Sequence, residues 1–192
     1  MPPARLDIES KICAATLQLA AQRGWNALTL DQIARGAKVL PTQAKGYFKD
    51  KNEILPALVR YIGKQSARAK FDARAKPRDR LFEALMARFD ALQKHRKGIL
   101  AITEDCPRDP SLVRFILPAE WREMESLLKT AKLMPDSELK RSLVVAALLG
   151  VYGWALCCWQ RDKTPDMAKT MAGLDRGLRG AETAAQFLFR SR

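Results

Sequence analysis

The stretch TLDQIARGAKVLPTQAKGYFKDKNEIL, residues 29–55, decides the fold. Thr29 is a good helix-capping residue, and Leu30, Ile33 and Ala34 follow it at helical spacing. The periodicity breaks at Gly36-Ala37-Lys38-Val39. A second short helix then starts with Pro41 in its first turn and closes on Tyr47-Phe48. Two short helices joined by a tight turn make a helix-turn-helix unit, which can set its second helix in a DNA major groove.

Outward from this unit the chain reads as helix throughout. No sustained period-2 alternation and no Asn-Gly or Asp-Gly hairpin signal occurs, so the expected class is all-α with about nine helices. Helix 1 is expected over roughly Asp7 to Arg23, with Ile8, Ile12, Ala15 and Leu19 on one face and Gly24 as its stop. Asp50-Lys51-Asn52-Glu53 reads as a capping box opening helix 4, with Pro56 forecasting a kink or a late start. Residues 60–80 carry eight basic residues against Asp72 and Asp79 and read as an exposed, basic end of helix 4 leading into a linker that stops at Pro77. The expected division is therefore a helix-turn-helix domain over 1–50, helix 4 and linker over 51–76, and a larger helical domain over 77–192.

Within that larger domain helix 5 is expected near 78–95, and Gly98 starts a shorter helix that Pro107 ends. A helical stretch over 109–133 is expected to be interrupted at Pro118. Residues 143–159, LVVAALLGVYGWALCCW, form 17 apolar positions in a row. A membrane span needs about 20, and Gly150 and Gly153 with nearby alanines suit close helix packing, so a core or subunit-interface helix is the favoured reading. Thr164-Pro165-Asp166 reads as the start of helix 9. Two apolar-faced terminal helices, 8 and 9, suggest a four-helix bundle across a two-fold axis and hence a homodimer.

Composition bounds the function. The 192 residues suffice for one large or two small helical domains. A net charge of +13 favours polyanionic partners, nucleic acid or an anionic membrane surface, although it is spread as +5 over residues 1–64 and +8 over the remainder. The N-terminus lacks an apolar signal segment, so a cytoplasmic location is expected. Cys13, Cys106, Cys157 and Cys158 fit neither a disulfide framework nor a metal site, and His95, the single histidine, reads as a surface residue at a helix end. There is no phosphate-binding glycine loop, no HExxH and no GxSxG, so neither an enzyme nor a cofactor or metal is expected.

QRGWNALTLDQIARGAKVLPTQAKGYFKDKNEIL resembles the N-terminal domain of TetR-family regulators. Gly24, Thr29, Ile33-Ala34, Ala37, Val39, Tyr47-Phe48, Lys51 and Leu55 carry the likeness. The resemblance implies double-stranded DNA as partner. It places Thr29 as a cap that also meets a phosphate, Thr42 and Gln43 at base edges, and Lys38, Lys45, Lys49 and Lys51 at phosphates. Tyr47 is either core or a further phosphate contact. The departures are Lys38 where glycine is usual, Leu40 for a capping serine, Lys45 for tyrosine and Gly46 for histidine or arginine. The same likeness implies a small apolar ligand in the second domain, with Met86, Phe89, Leu117, Trp121 and Trp154 as pocket candidates, for each of which plain core is the stronger reading.

Residues 78–96 and 150–182 are similar to TetR-like proteins related to the coenzyme Q biosynthesis accessory family, through an aromatic helix, the run Asp162, Thr164, Pro165, Asp166, and Leu174 to Leu178. That likeness implies an alternative: a lipid-binding accessory protein of ubiquinone biosynthesis with peripheral membrane contact and a degenerate helix-turn-helix.

Overall fold

A computed structural model describes residues 3–67, 74–104, 109 and 111–189 of the chain. Among these residues the expectation of an all-α protein holds: there are nine α-helices, one short 3-10 turn and no strand. The helices are α1 (Pro3–Arg23), α2 (Leu30–Gly36), α3 (Pro41–Tyr47), α4 (Ile54–Ser66), α5 (Pro77–Lys94), α6 (Arg96–Thr103), α7 (Ser111–Thr130), α8 (Glu138–Arg161) and α9 (Ala168–Phe189). Cys106 and Pro107 lie outside the described residues.

Two compact units form. Unit 1 comprises residues 1–65 and 91–120; unit 2 comprises 66–90 and 121–192. The sequence reading divides the chain consecutively, whereas these units interleave. The cause is α6, which packs along α1 so closely that Gly98 stands against the Leu17 backbone. The core of unit 1 combines Ile12 and Leu17 with Trp25, Leu28, Ile33, Phe48, Ile54 and Leu55, and takes in Ile102 and Leu112 from the later segment.

Several local expectations are refined. Helix 4 does start late: Lys51–Glu53 is a 3-10 turn and α4 follows from Ile54, so Pro56 falls in the first turn, where its missing N–H is harmless. Asp50 Oδ1 accepts from the amides of Asn52 (2.6 Å) and Glu53 (3.3 Å), but Glu53 Oε2 takes the Lys49 amide at 2.7 Å, one residue further back than the expected box. Helix α7 is not interrupted at Pro118 but runs through it. Pro118 and Arg114, whose carbonyl the ring displaces, are both exposed, so water can take the freed acceptor. His95 is half-buried rather than superficial: its ring lies 5.9 Å from that of Tyr61, and its Nε2 is 3.3 Å from Gln65 Nε2. Burial, then the neighbouring Lys94 charge, push its pKa down.

Unit 2 is built on the α8–α9 pair. Helix α8 is long and apolar enough to cross a membrane by length and composition alone. Its face carrying Val145, Leu148, Val151, Tyr152, Ala155 and Trp159 is buried. Leu139, Leu143 and Trp154, the last 55% exposed, lie on another face of the helix. The start of α9 differs from expectation by several residues. Thr164 Oγ1 and Asp166 Oδ1 do cap a helix, but both receive the amide of Ala168, and Met167 at φ 55 separates them from it.

Asp162 organises that junction. Its Oδ1 accepts from the Thr164 amide (3.0 Å) and hydroxyl (2.6 Å), and its Oδ2 from the Thr170 amide (2.8 Å) and hydroxyl (2.9 Å). Elsewhere in unit 2 the buried Arg88 guanidinium donates to the Tyr152 hydroxyl at 3.2 Å and lies 3.6 Å from Glu123. A buried charge is retained only where such partners exist.

Candidate nucleic-acid interface

The site is assembled from α2, the turn after it, and α3. Thr29 closes a full capping box: Gln32 donates its amide to Thr29 Oγ1 (3.3 Å) and accepts the Thr29 amide at Oε1 (2.9 Å). Helix α2 then ends in a Schellman turn. The Val39 amide reaches the Ala34 carbonyl and the Lys38 amide reaches the Arg35 carbonyl, both at 3.0 Å, and Ala34 and Val39 are buried together.

Lys38 occupies the left-handed position of this turn at φ 56. The sequence signal of a missing glycine is thus physically real, since a side chain there costs roughly 1–2 kcal/mol. Lys132, at φ 55, ends α7 in the same way. Lys38→Gly should therefore raise stability by up to about 1 kcal/mol after the greater freedom of glycine in the unfolded chain is subtracted. Thermal melting should move up by about 2–4 °C, and by a similar amount in Lys132→Gly. Unchanged midpoints in both would show the two turns to be unstrained.

Helix α3 begins at Leu40, which offers no side-chain cap and is 63% exposed; Pro41 at the first helical position supplies the start instead. Ala44 is fully buried, and the Phe48 amide bonds to its carbonyl at 2.9 Å, with the Phe48 ring in the core. These anchors fix one side of α3. Thr42, Gln43, Lys45 and Gly46 on the remainder face solvent. Tyr47 is half-buried and packs on the unit 1 core. Thr29, Lys38 and Lys49 are exposed.

Two lysines have roles that the sequence did not reveal. Lys51 donates to the carbonyls of Trp25 (2.9 Å) and Asn26 (3.2 Å) and stands 4.9 Å from the centre of the Trp25 ring. It ties the α1–α2 corner to the start of α4. Lys45 lies 3.1 Å from the Asp31 carboxylate of α2. Its charge on the outer face is thus partly neutralised, though the pair is exposed and weak. No local pattern marks either contact, because the partners are 26 and 14 residues away.

Met86 and Trp121 are half-buried in unit 2, Phe89 is fully buried there against Tyr152 (ring centres 5.5 Å), and Trp154 is exposed. Leu117, 49% exposed, belongs to unit 1.

Residues 12–58 match the family described as bacterial regulatory proteins, tetR family. The chain is 32% identical over 98 residues to the HTH-type transcriptional repressor KstR2 of Mycobacterium tuberculosis strain H37Rv, covering 50% of this chain and 49% of the relative. It is 30% identical over 112 residues to the HTH-type transcriptional regulator BetI of Paraburkholderia phymatum, covering 55% and 57%. The chain thus spans about half the length of the curated relatives it matches. Among solved structures, a TetR transcriptional regulator from Nitrosomonas europaea superimposes with a TM-score of 0.71 over 91% of this chain and 98% of that one, at 20% identity. These likenesses do not extend to the coenzyme Q accessory group, and that alternative stays with the sequence pattern that raised it.

Proposed function

We propose that this chain is a DNA-binding transcriptional regulator of the TetR type that works as a dimer and answers to a small apolar ligand held in unit 2, a reading supported by its N-terminal match and its fold. The observation that carries the reading is the outer face of α3. Thr42, Gln43 and Lys45 are exposed on a helix whose other side is locked by Ala44, Phe48 and the Schellman turn. A firmly held helix with polar side chains on its free face suits base-edge contacts in the major groove.

In this reading Thr42 and Gln43 read bases, while Thr29, Lys38, Tyr47 and Lys49 hold phosphates. Lys45 joins them when DNA competes with Asp31, and Lys51 acts mainly by holding the corner. A second copy would pair through α8 and α9, where Leu139, Leu143 and Trp154 are exposed, and set two α3 helices in successive grooves about 34 Å apart. The ligand would favour one of two dimer spacings over the other.

Titration of a labelled duplex from the region upstream of its own gene, against a scrambled duplex, at several salt concentrations tests this. The upstream duplex should bind at least about 10³-fold more tightly. Thr42→Ala with Gln43→Ala should collapse that preference. Lys49→Ala should weaken both duplexes alike and lower the salt slope by about one unit. Asp31→Asn should release Lys45 and steepen the slope. Equal affinity for the two duplexes would sink the proposal.

A further inference from the structure

Unit 2 holds a partly open, largely apolar pocket of about 230 Å³. Its walls come from four helices, with Leu81 of α5, Leu128 of α7, Val144 of α8 and Leu178 of α9 among them. The space exists because Ala147 of α8 and Ala181 of α9 present only methyl groups to it. Protein interiors are otherwise close-packed. An apolar pocket of this kind gains by taking up an apolar molecule, whose surface leaves water on binding.

Among the described residues the lining is aliphatic, without an aromatic ring, and its ionisable members are Arg78 and Glu182. Arg78 Nη1 is 3.9 Å from Glu182 and its Nε is 3.6 Å from Asp79, both beyond hydrogen-bond length. The Arg78 and Glu182 side chains are 35% and 48% exposed, so either can move. A carboxylate arriving there could replace these long contacts with a two-bond fork on the guanidinium.

We infer that this cavity is a binding site for a medium-chain aliphatic carboxylate, its chain among the leucines and its headgroup on Arg78. At about 230 Å³ the pocket is smaller than those that hold drug-sized ligands, so it suits an aliphatic chain of medium length and not a long one. The inference deepens the reading of unit 2 as the ligand-binding part and rests on that reading for its regulatory meaning. Binding is measured without DNA, so failure here and failure of DNA recognition are separate results.

Calorimetric titration of the full chain with hexanoate, octanoate, dodecanoate and octanol tests it. Octanoate should bind once per chain and most tightly, and Ala181→Leu should lose at least about tenfold in affinity while melting at or above the parent temperature. Should that variant fold poorly, Ala147→Leu fills the same space from α8. Arg78→Gln should lose about tenfold for octanoate and nothing for octanol. No saturable binding, octanol as tight as octanoate in the parent, or full affinity in a folded cavity-filled variant would each overturn the inference.

Discussion

Gly98→Ala should destabilise the protein by at least about 3 kcal/mol, although glycine to alanine inside a helix ordinarily stabilises by about 1 kcal/mol. The sign reverses because of where α6 crosses α1. A Cβ on Gly98 would stand 2.2 Å from the Leu17 carbonyl oxygen, 2.9 Å from its carbon and 3.0 Å from its Cα. All three are backbone atoms of a helix interior, so no rotamer change relieves the clash and the two helices must separate. Overpacking of a core usually costs about 1–3 kcal/mol, and a backbone obstacle belongs at or above the top of that range. Helix α1 supports the turn and the two helices of the candidate interface through Ile12, Leu17 and Ala20, so the loss should reach the site as well. Gly180 of α9 has nothing within 4 Å of its missing Cβ, and Gly180→Ala should raise stability by up to about 1 kcal/mol. Denaturant unfolding of the three proteins decides it. A Gly98→Ala midpoint equal to or above the parent would mean that the helices cross less tightly than this geometry requires.

That glycine illustrates what could and could not be read from the sequence. Its place in the sequence marks a helix start, and a helix does lie there. Its importance comes from Leu17, far away in the chain, and no window of local periodicity contains such a contact. The features that were legible are those decided within a turn or two: the Thr29 cap, the need for left-handed backbone at Lys38, the uncapped Leu40 and the Asp50 cap of the following turn. Each depends on bonds between residues two to four apart, which is the range in which side-chain type fixes backbone geometry. The Lys51 tether, the Lys45–Asp31 pair and the interleaving of the two units depend on which helices meet, and hydrophobic periodicity names a buried face without naming its partner. The uninterrupted course of α7 through Pro118 escapes the sequence for a related reason. The cost of an internal proline depends on whether the freed carbonyl reaches water, and exposure is a tertiary property.

Asp162→Asn should cost about 3–5 kcal/mol and remove an acid-sensitive component of stability. Asp162 is 2% exposed and accepts four hydrogen bonds from Thr164 and Thr170. The asparagine amide has the same shape, but one end becomes a donor that faces either the Thr164 or the Thr170 pair of donors. Two buried polar groups then lose their acceptor, and the charge that strengthened the remaining pair is gone. Against a typical total stability of about 5–15 kcal/mol this is a large fraction, and the melting temperature should fall by roughly 10 °C. The consequence centres on the α8–α9 junction, because Thr170 lies in the first turn of α9 and Asp162 directly follows α8. Burial alone would push the Asp162 carboxyl up from its ordinary 3.8, but the hydrogen bonds from Thr164 and Thr170 outweigh it and hold the group well below the usual carboxylate range. A pKa lowered in the folded state adds stability that is fully present above the unfolded value, near pH 4, and disappears as pH falls below it. The parent protein should therefore lose stability between about pH 4 and pH 2 more steeply than Asp162→Asn, whose curve there lacks this component. The two curves should approach each other at the acid end, because protonated aspartic acid and asparagine present comparable groups to the four donors. Urea unfolding at a series of pH values measures both. Parallel curves would show that Asp162 titrates alike in the folded and unfolded chains, and a variant within 1 kcal/mol of the parent at pH 7 would show that the four bonds do not hold the junction.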